Sequence, residues 1–151
     1  MTAIIHFLNG TPIGWFSKKQ GTVETSTYGS EFVAARTATE QILDLRLTLR
    51  YLGVPLQRSI LFGDNQSVVG SASIPHSKLN KRHTILSYHR VREAIAAGVF
   101  SFHFVPSELN IADILSKHWG YQQVYQNILH PLLFYQGQES KQDVSNQGKG
   151  E

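Results

Sequence analysis

A long stretch with apolar residues at intervals of three and four limits the fold more than any other feature of the chain. Thr25, Ser26 and Thr27 can cap its start, and Gly53 with Pro55 beyond it can end it. The apolar positions of the stretch are Phe32, Ala35, Ala38, Ile42, Leu45, Leu49 and Leu52. One such stripe predicts a long helix with a single buried face, which packs against a sheet.

Short apolar runs on both sides of this helix predict strands. Ile4–Leu8 and Ile13–Lys18 flank the turn formers Asn9–Pro12, and this arrangement predicts a hairpin. Ser59–Phe62 and Val99–Val105 are two further runs with the composition of strands. The hairpin therefore precedes the long helix, and the two later strands follow it.

Three more helices are predicted after the long one. Gln66–Ala72 is a short candidate and Lys81–Ala97 a longer one. A late helix carries Asp113, and Ser107 or Asn110 can cap its start. The order of strands and helices predicts an α/β fold in which helices cover a sheet.

The composition of the 151-residue chain is that of one globular domain, with 41% hydrophobic and 17% charged residues. We expect the folded part to span residues 3–135, with the aromatic and apolar segment 121–135 docked on the body as a helix and a loop. Residues 136–151 are polar and nearly free of apolar side chains, so we expect them to form a disordered tail.

Several classes of protein are disfavoured by what the sequence lacks. The chain has no cysteine, which excludes disulfides and thiolate metal sites. No apolar run approaches the length of a membrane span and no signal peptide is recognisable, so we expect an intracellular protein. GxSxG, Walker A and GxGxxG motifs are also missing, which disfavours serine hydrolases and nucleotide-binding folds.

Basic residues cluster in one segment of a chain whose net charge is +3. The cluster contains Lys78, Lys81, Arg82, Arg90 and Arg92. Such clustering suits a polyanionic partner, in which case these side chains contact phosphates. The alternative is an ordinary solvated helix face.

Three acidic residues, Glu31, Asp64 and Asp113, lie at the ends of predicted elements. Glu31 belongs to the first turn of the long helix, Asp64 follows a strand, and Asp113 lies near the start of the late helix. Carboxylates that converge from distant parts of a chain suit Mg²⁺, and such a site can hold two ions for phosphodiester hydrolysis. Each residue also has a structural alternative, because acids are common in first helical turns and in turns after strands.

The amino-acid sequence around the three acids resembles that of one protein family. The stretches PIGWFSKKQGTVETSTYGSEFVAA, LFGDNQSVV and FVPSELNIADILSKHW are similar to the ribonuclease H domain at the C-terminal end of copia-type LTR retrotransposon polyproteins. The resemblance covers roughly residues 3–135. The three stretches occur in the family's order, and together they are far more specific than any one of them alone.

The resemblance implies the ribonuclease H-like fold, a mixed sheet with helices on both faces. In that family four acids in the order Asp, Glu, Asp, Asp bind two Mg²⁺ ions, with Mn²⁺ as an alternative, and hydrolyse the RNA strand of RNA:DNA hybrids. Glu31 matches the second acid, Asp64 the third and Asp113 the fourth. The resemblance thereby implies that these three residues are catalytic and metal-binding.

The first acid of the family, and the strand that carries it, have no counterpart in this sequence. In the resembled fold that strand is central, and it pairs with the first hairpin strand on one side and with the strand before Asp64 on the other. We therefore expect an N-terminally truncated domain with impaired activity and two unpaired strand edges. The most economical hypothesis is a fragment of a larger retroelement reading frame.

The function expected from the resemblance is a two-metal ribonuclease H of a retrotransposon reverse transcriptase. Asn65, Gln66 and Ser67, directly after Asp64, are candidates for contacts to the 2′-hydroxyls of an RNA:DNA hybrid. The upstream polymerase part of the same polyprotein is a further expected partner, and the expected location is a cytoplasmic retroelement particle or the nucleus. A noncatalytic nucleic-acid-binding remnant and a purely structural polyprotein module are the alternatives.

Overall fold

The computed structural model describes residues 1–20, 27–74 and 85–116, and it confirms the elements predicted in these ranges apart from the last helix. The elements are β1 (Thr2–Leu8), β2 (Thr11–Lys18), α1 (Thr27–Tyr51), β3 (Ser59–Gly63), α2 (Gln66–Ser73), α3 (Ile85–Ala96), β4 (Phe100–Phe104) and the 3-10 turns Ser107–Leu109 and Ile111–Leu115. The described part of the chain is thus mixed α/β, with three α-helices and two small sheets. None of its helices combines the length and the apolar character that crossing a bilayer requires.

The N-terminal hairpin has the tight turn that its sequence predicts. β1 and β2 pair antiparallel and leave only Asn9 and Gly10 in the loop. Their φ angles are 49° and 80°, and Asn-Gly is favoured in two-residue hairpin loops because both positions then need a positive φ. Pro12, which was expected in the turn, lies in β2 opposite Phe7, where the register shifts.

α1 supplies the centre of the hydrophobic core. The predicted buried stripe is confirmed at Phe32, Ala35, Ala38 and Ile42. Phe32 is fully buried, and its ring meets the ring of Tyr88 edge-on, with 5.6 Å between the centroids. The prediction for Leu52 is wrong: this side chain is 67% exposed, because the helix ends at Tyr51 and Gly53 turns the chain away with a φ of 76°.

β3 and β4 form a parallel pair joined by a helical crossover. The register runs from Ser59 opposite Phe100 to Gly63 opposite Phe104. Parallel neighbours need a long connection, which here contains α2 and α3. Phe100 and Val91 are fully buried in the cluster that includes α1, so the crossover packs onto the same core.

The resemblance implied a mixed sheet without its central strand, and the strands of the described residues form two separate small sheets. In this part of the chain β1 pairs only with β2, and β3 only with β4. A groove of about 930 Å³ is lined by residues of both β1 and β3. We call it the interstrand groove; its walls are residues 3–8 of β1 and 59–63 of β3, and α1 forms its floor. The two free edges agree with the expectation of unpaired strands.

The prediction of a late α-helix around Asp113 is wrong for the residues that the structure describes, because Ile111–Leu115 form a 3-10 turn. The N–H of Asp113 bonds the carbonyl of Asn110 at 3.0 Å, and the N–H of Ser116 bonds the carbonyl of Asp113 at 3.0 Å. These three-residue steps define 3-10 turns, which are frequent in short connectors. Asn110 is confirmed as the cap, since its Oδ1 accepts from the N–H of Ala112 at 3.2 Å. The predicted docking segment 121–135 and the tail 136–151 lie outside the described residues.

Candidate functional site

Asp64 is held at the end of β3 by a tight strand-to-helix turn. The next residue, Asn65, caps α2, and its Oδ1 accepts hydrogen bonds from the N–H groups of Ser67 at 3.1 Å and Val68 at 3.2 Å. The hydroxyl of Ser107 donates to Asp64 Oδ2 at 3.4 Å. The half-buried Asp64 therefore lies at the C-terminal edge of the parallel pair, where α/β sheets bind ligands.

Gly63 allows the end of β3 to lie close against β4. A β-carbon at this position would lie 2.9 Å from Cε2 of Phe102, closer than side chains tolerate. The carbonyl of Gly63 also accepts from the N–H of Val105 at 2.9 Å, which extends the pairing of the two strands. A glycine here avoids this clash, and Asp64 follows directly on the end of the strand that pairs with β4.

Asp113 is the most buried of the three acids, with 6% of its surface exposed. The hydroxyl of Ser116 donates to its Oδ1 at 3.4 Å. The 3-10 turn that carries it is fastened to β2, because the hydroxyl of Ser17 donates to the carbonyl of Leu115 at 3.0 Å. Buried carboxylates need such partners, so Asp113 is held in a defined place beside the hairpin.

The sequence predicted Glu31 in the first turn of α1. In the structure it lies in the second turn. The helix begins at Thr27, and its first turn contains no acidic residue. The stabilising effect of the helix dipole falls off within the first turn. The structural explanation for an acid at this position is therefore weaker than the sequence suggested.

Contacts with α1 place Glu31 and Asp64 toward the same end of the interstrand groove. Arg46 donates through Nη1 to the hydroxyl of Ser59 at 2.9 Å, which fixes the start of β3 near the second half of α1. From there Asp64 follows after the five residues of β3, about 16 Å further on. Glu31 lies about 22 Å back along α1 from Arg46, at 1.5 Å per residue. Val68, just after β3, accordingly packs in the same core cluster as Phe32.

The structure brings two of the three predicted acids to one groove. Glu31 and Asp64 both line the interstrand groove, as does Asn110, while Asp113 directly follows the lining residue Ala112. Among the described residues, no group of three or more His, Asp or Glu side chains is close enough to hold a metal ion. Carboxylate and amide oxygens are the donors that Mg²⁺ prefers, so the chemistry of these side chains fits that ion.

The polar residues that follow Asp64 differ in what they are free to contact. The Oδ1 of Asn65 is engaged in the cap of α2, whereas Gln66 and Ser67 have exposed side chains in the first turn of that helix. Their contact with 2′-hydroxyls stays a prediction. Ser107, which the sequence suggested as a helix cap, instead donates to Asp64 and so belongs to the candidate site.

The predicted phosphate-binding residues fall partly outside the described residues. Lys78, Lys81 and Arg82 lie in the undescribed range 75–84. Arg90 of α3 forms a surface ion pair with Glu93 at 3.2 Å, and the two side chains are 42% and 70% exposed. An exposed pair of this kind is weak, so it does not prevent Arg90 from meeting an anion.

Arg92 has a structural role that was missed in the sequence. Its Nη1 donates to the carbonyls of Ser71 at 3.0 Å and Ile74 at 2.8 Å, and to the hydroxyl of Tyr88 at 2.8 Å. Its guanidinium carbon also lies 5.0 Å from the centre of the Tyr88 ring, within the range of a cation–π contact. Arg92 therefore ties the C-terminal end of α2 to α3. The spacing of four residues from Tyr88 on a helix was the signal that could have revealed it.

Comparisons with known proteins show that the chain is distantly similar to polyproteins of plant transposons. It is 26% identical over 116 residues to the "Retrovirus-related Pol polyprotein from transposon TNT 1-94" of Nicotiana tabacum. It is also 26% identical over 114 residues to the polyproteins of the same description from transposons RE1 and RE2 of Arabidopsis thaliana. The chain is distantly similar to copia-type retrotransposon Pol polyproteins.

The matched region is a small part of these relatives. It covers 77% of this chain but 9% of the Nicotiana tabacum polyprotein, and 75% of this chain but 8% of the two Arabidopsis thaliana polyproteins. The names of the relatives do not say which activity of a polyprotein the region carries. No protein-family model matches the chain, and no solved structure matches it.

Proposed function

We propose that this chain is the ribonuclease H region of a copia-type retrotransposon polyprotein, with the ribonuclease H-like fold and an RNA:DNA hybrid as its substrate. The observation that supports it most is that Glu31 and Asp64 reach one groove from separate elements. Asp113 lies next to a residue of the same groove, and the three acids have the order and the flanking residues of the family. The relation to Pol polyproteins is consistent with this function.

The side chains of the site would have distinct tasks. Glu31, Asp64 and Asp113 would hold Mg²⁺, which would supply activation of a water molecule and stabilisation of the departing 3′ oxygen. Ser107 would support the Asp64 carboxylate through the long hydrogen bond of 3.4 Å that its hydroxyl donates. Burial would keep Asp113 from reorienting when the substrate binds.

Different residues would position the duplex and distinguish RNA from DNA. Lys78, Lys81, Arg82, Arg90 and Arg92 are the proposed phosphate contacts, which orient a duplex without reading its sequence. Gln66 and Ser67 are exposed beside Asp64, so their amide and hydroxyl groups are suited to contact the 2′-hydroxyl that distinguishes RNA from DNA.

The test is hydrolysis of a labelled RNA:DNA hybrid in the presence of Mg²⁺ or Mn²⁺. We expect weak cleavage confined to the RNA strand, and we expect Asp64→Asn to abolish it because the amide is a poorer metal ligand. The control is Asp44→Asn, since Asp44 is an exposed acid in the second half of α1. Cleavage that persists in Asp64→Asn would contradict the proposed site.

A noncatalytic hybrid-binding module is the second candidate function. It is favoured by the observation that, among the described residues, no three His, Asp or Glu side chains lie close enough together to hold a metal ion. This candidate predicts hybrid binding without cleavage in either ion, and an affinity that Asp64→Asn leaves unchanged. Absence of both cleavage and binding would exclude the two candidates together and leave a structural module.

A further inference from the structure

The outer edge of β4 is free in the part of the chain that the structure describes. β4 pairs with β3 along one edge, and no described strand pairs with its other edge. The carbonyl of Val99 and the N–H of Val105 both bond to β3 or its last residue, at 3.2 Å and 2.9 Å. Backbone groups alternate in direction along a strand, so Phe100, Phe102 and Phe104 direct their N–H and C=O groups outward, away from β3.

This edge lacks the features that keep edge strands from pairing with one another. Exposed edges are usually protected by proline, by lysine or by other charged side chains. β2, the outer strand of the hairpin, contains Pro12 and ends with Lys18. β4 has the sequence Phe-Ser-Phe-His-Phe, with neither proline nor a permanently charged residue. Of these two outer edges, that of β4 is therefore the better suited to bind another strand.

The pattern of outward-facing groups on β4 is symmetric about Phe102. When a second β4 approaches antiparallel with Phe102 opposite Phe102 of the other copy, Phe100 lies opposite Phe104. All three outward-facing residues then form pairs that exchange two hydrogen bonds each. A register shifted by two residues keeps only two of these pairs within the strands, and a shift by one residue sets outward-facing residues opposite inward-facing ones. The symmetric register therefore uses every outward group of the edge.

The side chains of two copies also match in this register. Phe100 and Phe102 face the hydrophobic core of their own copy, and Phe104 on the same face is 45% exposed. The pairing sets Phe104 beside Phe100 of the other copy, and cross-strand pairs of aromatic residues stabilise sheets. On the opposite face Ser101 lies across from His103, and a hydroxyl and an imidazole can share a hydrogen bond. No two permanently charged side chains of the strands meet.

We propose that the outer edge of β4 binds a second copy of this chain and forms a two-fold dimer. β4 of each copy pairs antiparallel with β4 of the other, centred on Phe102, and the two parallel pairs become one continuous sheet. The same surface serves both copies, as a two-fold interface requires. A strand of five residues makes a small interface, so the dimer is weak and forms at high protein concentration. The dimer does not depend on the proposed nuclease activity.

The first test measures hydrogen exchange residue by residue in the full chain at rising protein concentration. We expect exchange at the amides of Phe100, Phe102 and Phe104 to slow by about tenfold or more as light scattering shows the mass to double. The amides of Ser101 and His103 face β3, so their exchange should change much less. These alternate residues of one strand are the internal control for the proposed edge.

Two substitutions test the edge independently. Phe102→Pro removes the central outward N–H and keeps the bonds to β3, so the concentration at which half of the chain is dimeric should rise about tenfold or more. His103→Lys places a permanent charge opposite Ser101 of the other copy, whose hydroxyl accepts from Arg58 at 3.5 Å, and repulsion should have the same effect. Thr48→Lys adds the same charge on the exposed face of α1 and should leave the dimer unchanged. Unfolding in urea checks that each variant is folded, and His103→Lys decides if the proline unfolds β4.

Any of three results would overturn the proposal. A mass that stays monomeric up to the solubility limit would show that the edge does not bind a second copy. A dimer that tolerates His103→Lys, with concentration-dependent protection at Ile60 and Phe62, would place the interface at the groove edge of β3. Slow exchange at the β4 edge in the dilute monomer would show that the chain's own residues cover it. The measurements omit metal and nucleic acid, so they are independent of the proposed nuclease function.

Discussion

At the scale of residues, the consecutive positions Gly63, Asp64 and Asn65 have separate tasks. Gly63 lets β3 lie against the ring of Phe102, and Asn65 caps α2. Asp64, between them, lines the interstrand groove. The position of the candidate metal ligand therefore depends on two neighbours that need not touch any ligand themselves.

Gly63→Ala tests this dependence. The new methyl group would lie 2.9 Å from Cε2 of Phe102, so either the ring or the strand must move. We expect the free energy of unfolding in urea to fall by about 1–3 kcal/mol, the usual cost of overpacking. Gly70→Ala is the matched control, because no heavy atom lies within 4 Å of its added methyl group in α2. That change should stabilise the protein by up to about 1 kcal/mol, and equal effects of the two substitutions would contradict the assignment.

At the scale of elements, the connection between α2 and α3 depends on Arg92. The carbonyls of Ser71 and Ile74 lie at the C-terminal end of α2, where helices leave acceptors without intrahelical partners. One guanidinium nitrogen bonds both and also reaches Tyr88 on α3. A single basic side chain therefore does what a cap would otherwise do, and it joins two helices as well.

Arg92→Met separates this structural role from a phosphate contact. Loss of the hydrogen bonds removes this donor from the part-buried contact at the Ser71 carbonyl and from the exposed contact at the Ile74 carbonyl, and we expect the free energy of unfolding to fall by about 1–3 kcal/mol. Arg90→Met removes the same charge from a surface ion pair and should cost less than about 0.5 kcal/mol. If Arg92→Met instead weakened hybrid binding and left stability unchanged, a phosphate contact would be its main role.

The elements that the sequence predicted best are those encoded by neighbouring residues. Asn9-Gly10 defines the hairpin loop, and Asn65 defines the start of α2, because turn and cap preferences act over a few residues. The 3-10 turn at Asp113 was not predicted, since an acid after a cap suits an α-helix equally well. The role of Arg92 was also missed, because it depends on carbonyls 18 and 21 residues away.

At the scale of the whole molecule, α1 packs against two sheets. In the described residues no strand of one sheet pairs with a strand of the other. Its contacts at Ser30, Gln41 and Arg46 hold the hairpin and the parallel pair on opposite walls of the interstrand groove. The alternation of strands and helices was enough to predict the α/β class. The separation into two sheets was not predictable from periodicity, because a strand's pattern does not reveal how many of its edges are paired.

Hybrid binding should depend on the basic segment that contains Lys81 and Arg82, and the salt dependence of the affinity tests this. Lys81→Ala with Arg82→Ala removes two proposed phosphate contacts, so the slope of log affinity against log salt should become shallower by about 1–2 between about 50 and 200 mM salt. Fluorescence anisotropy with a labelled hybrid measures this slope. Arg50→Ala is the control, because Arg50 lies in the last turn of α1, away from the Glu31 end of the groove. An equal decrease of the slope in the control would mean that binding follows net charge alone. An unchanged slope in the double variant would show that the basic segment does not contact the hybrid.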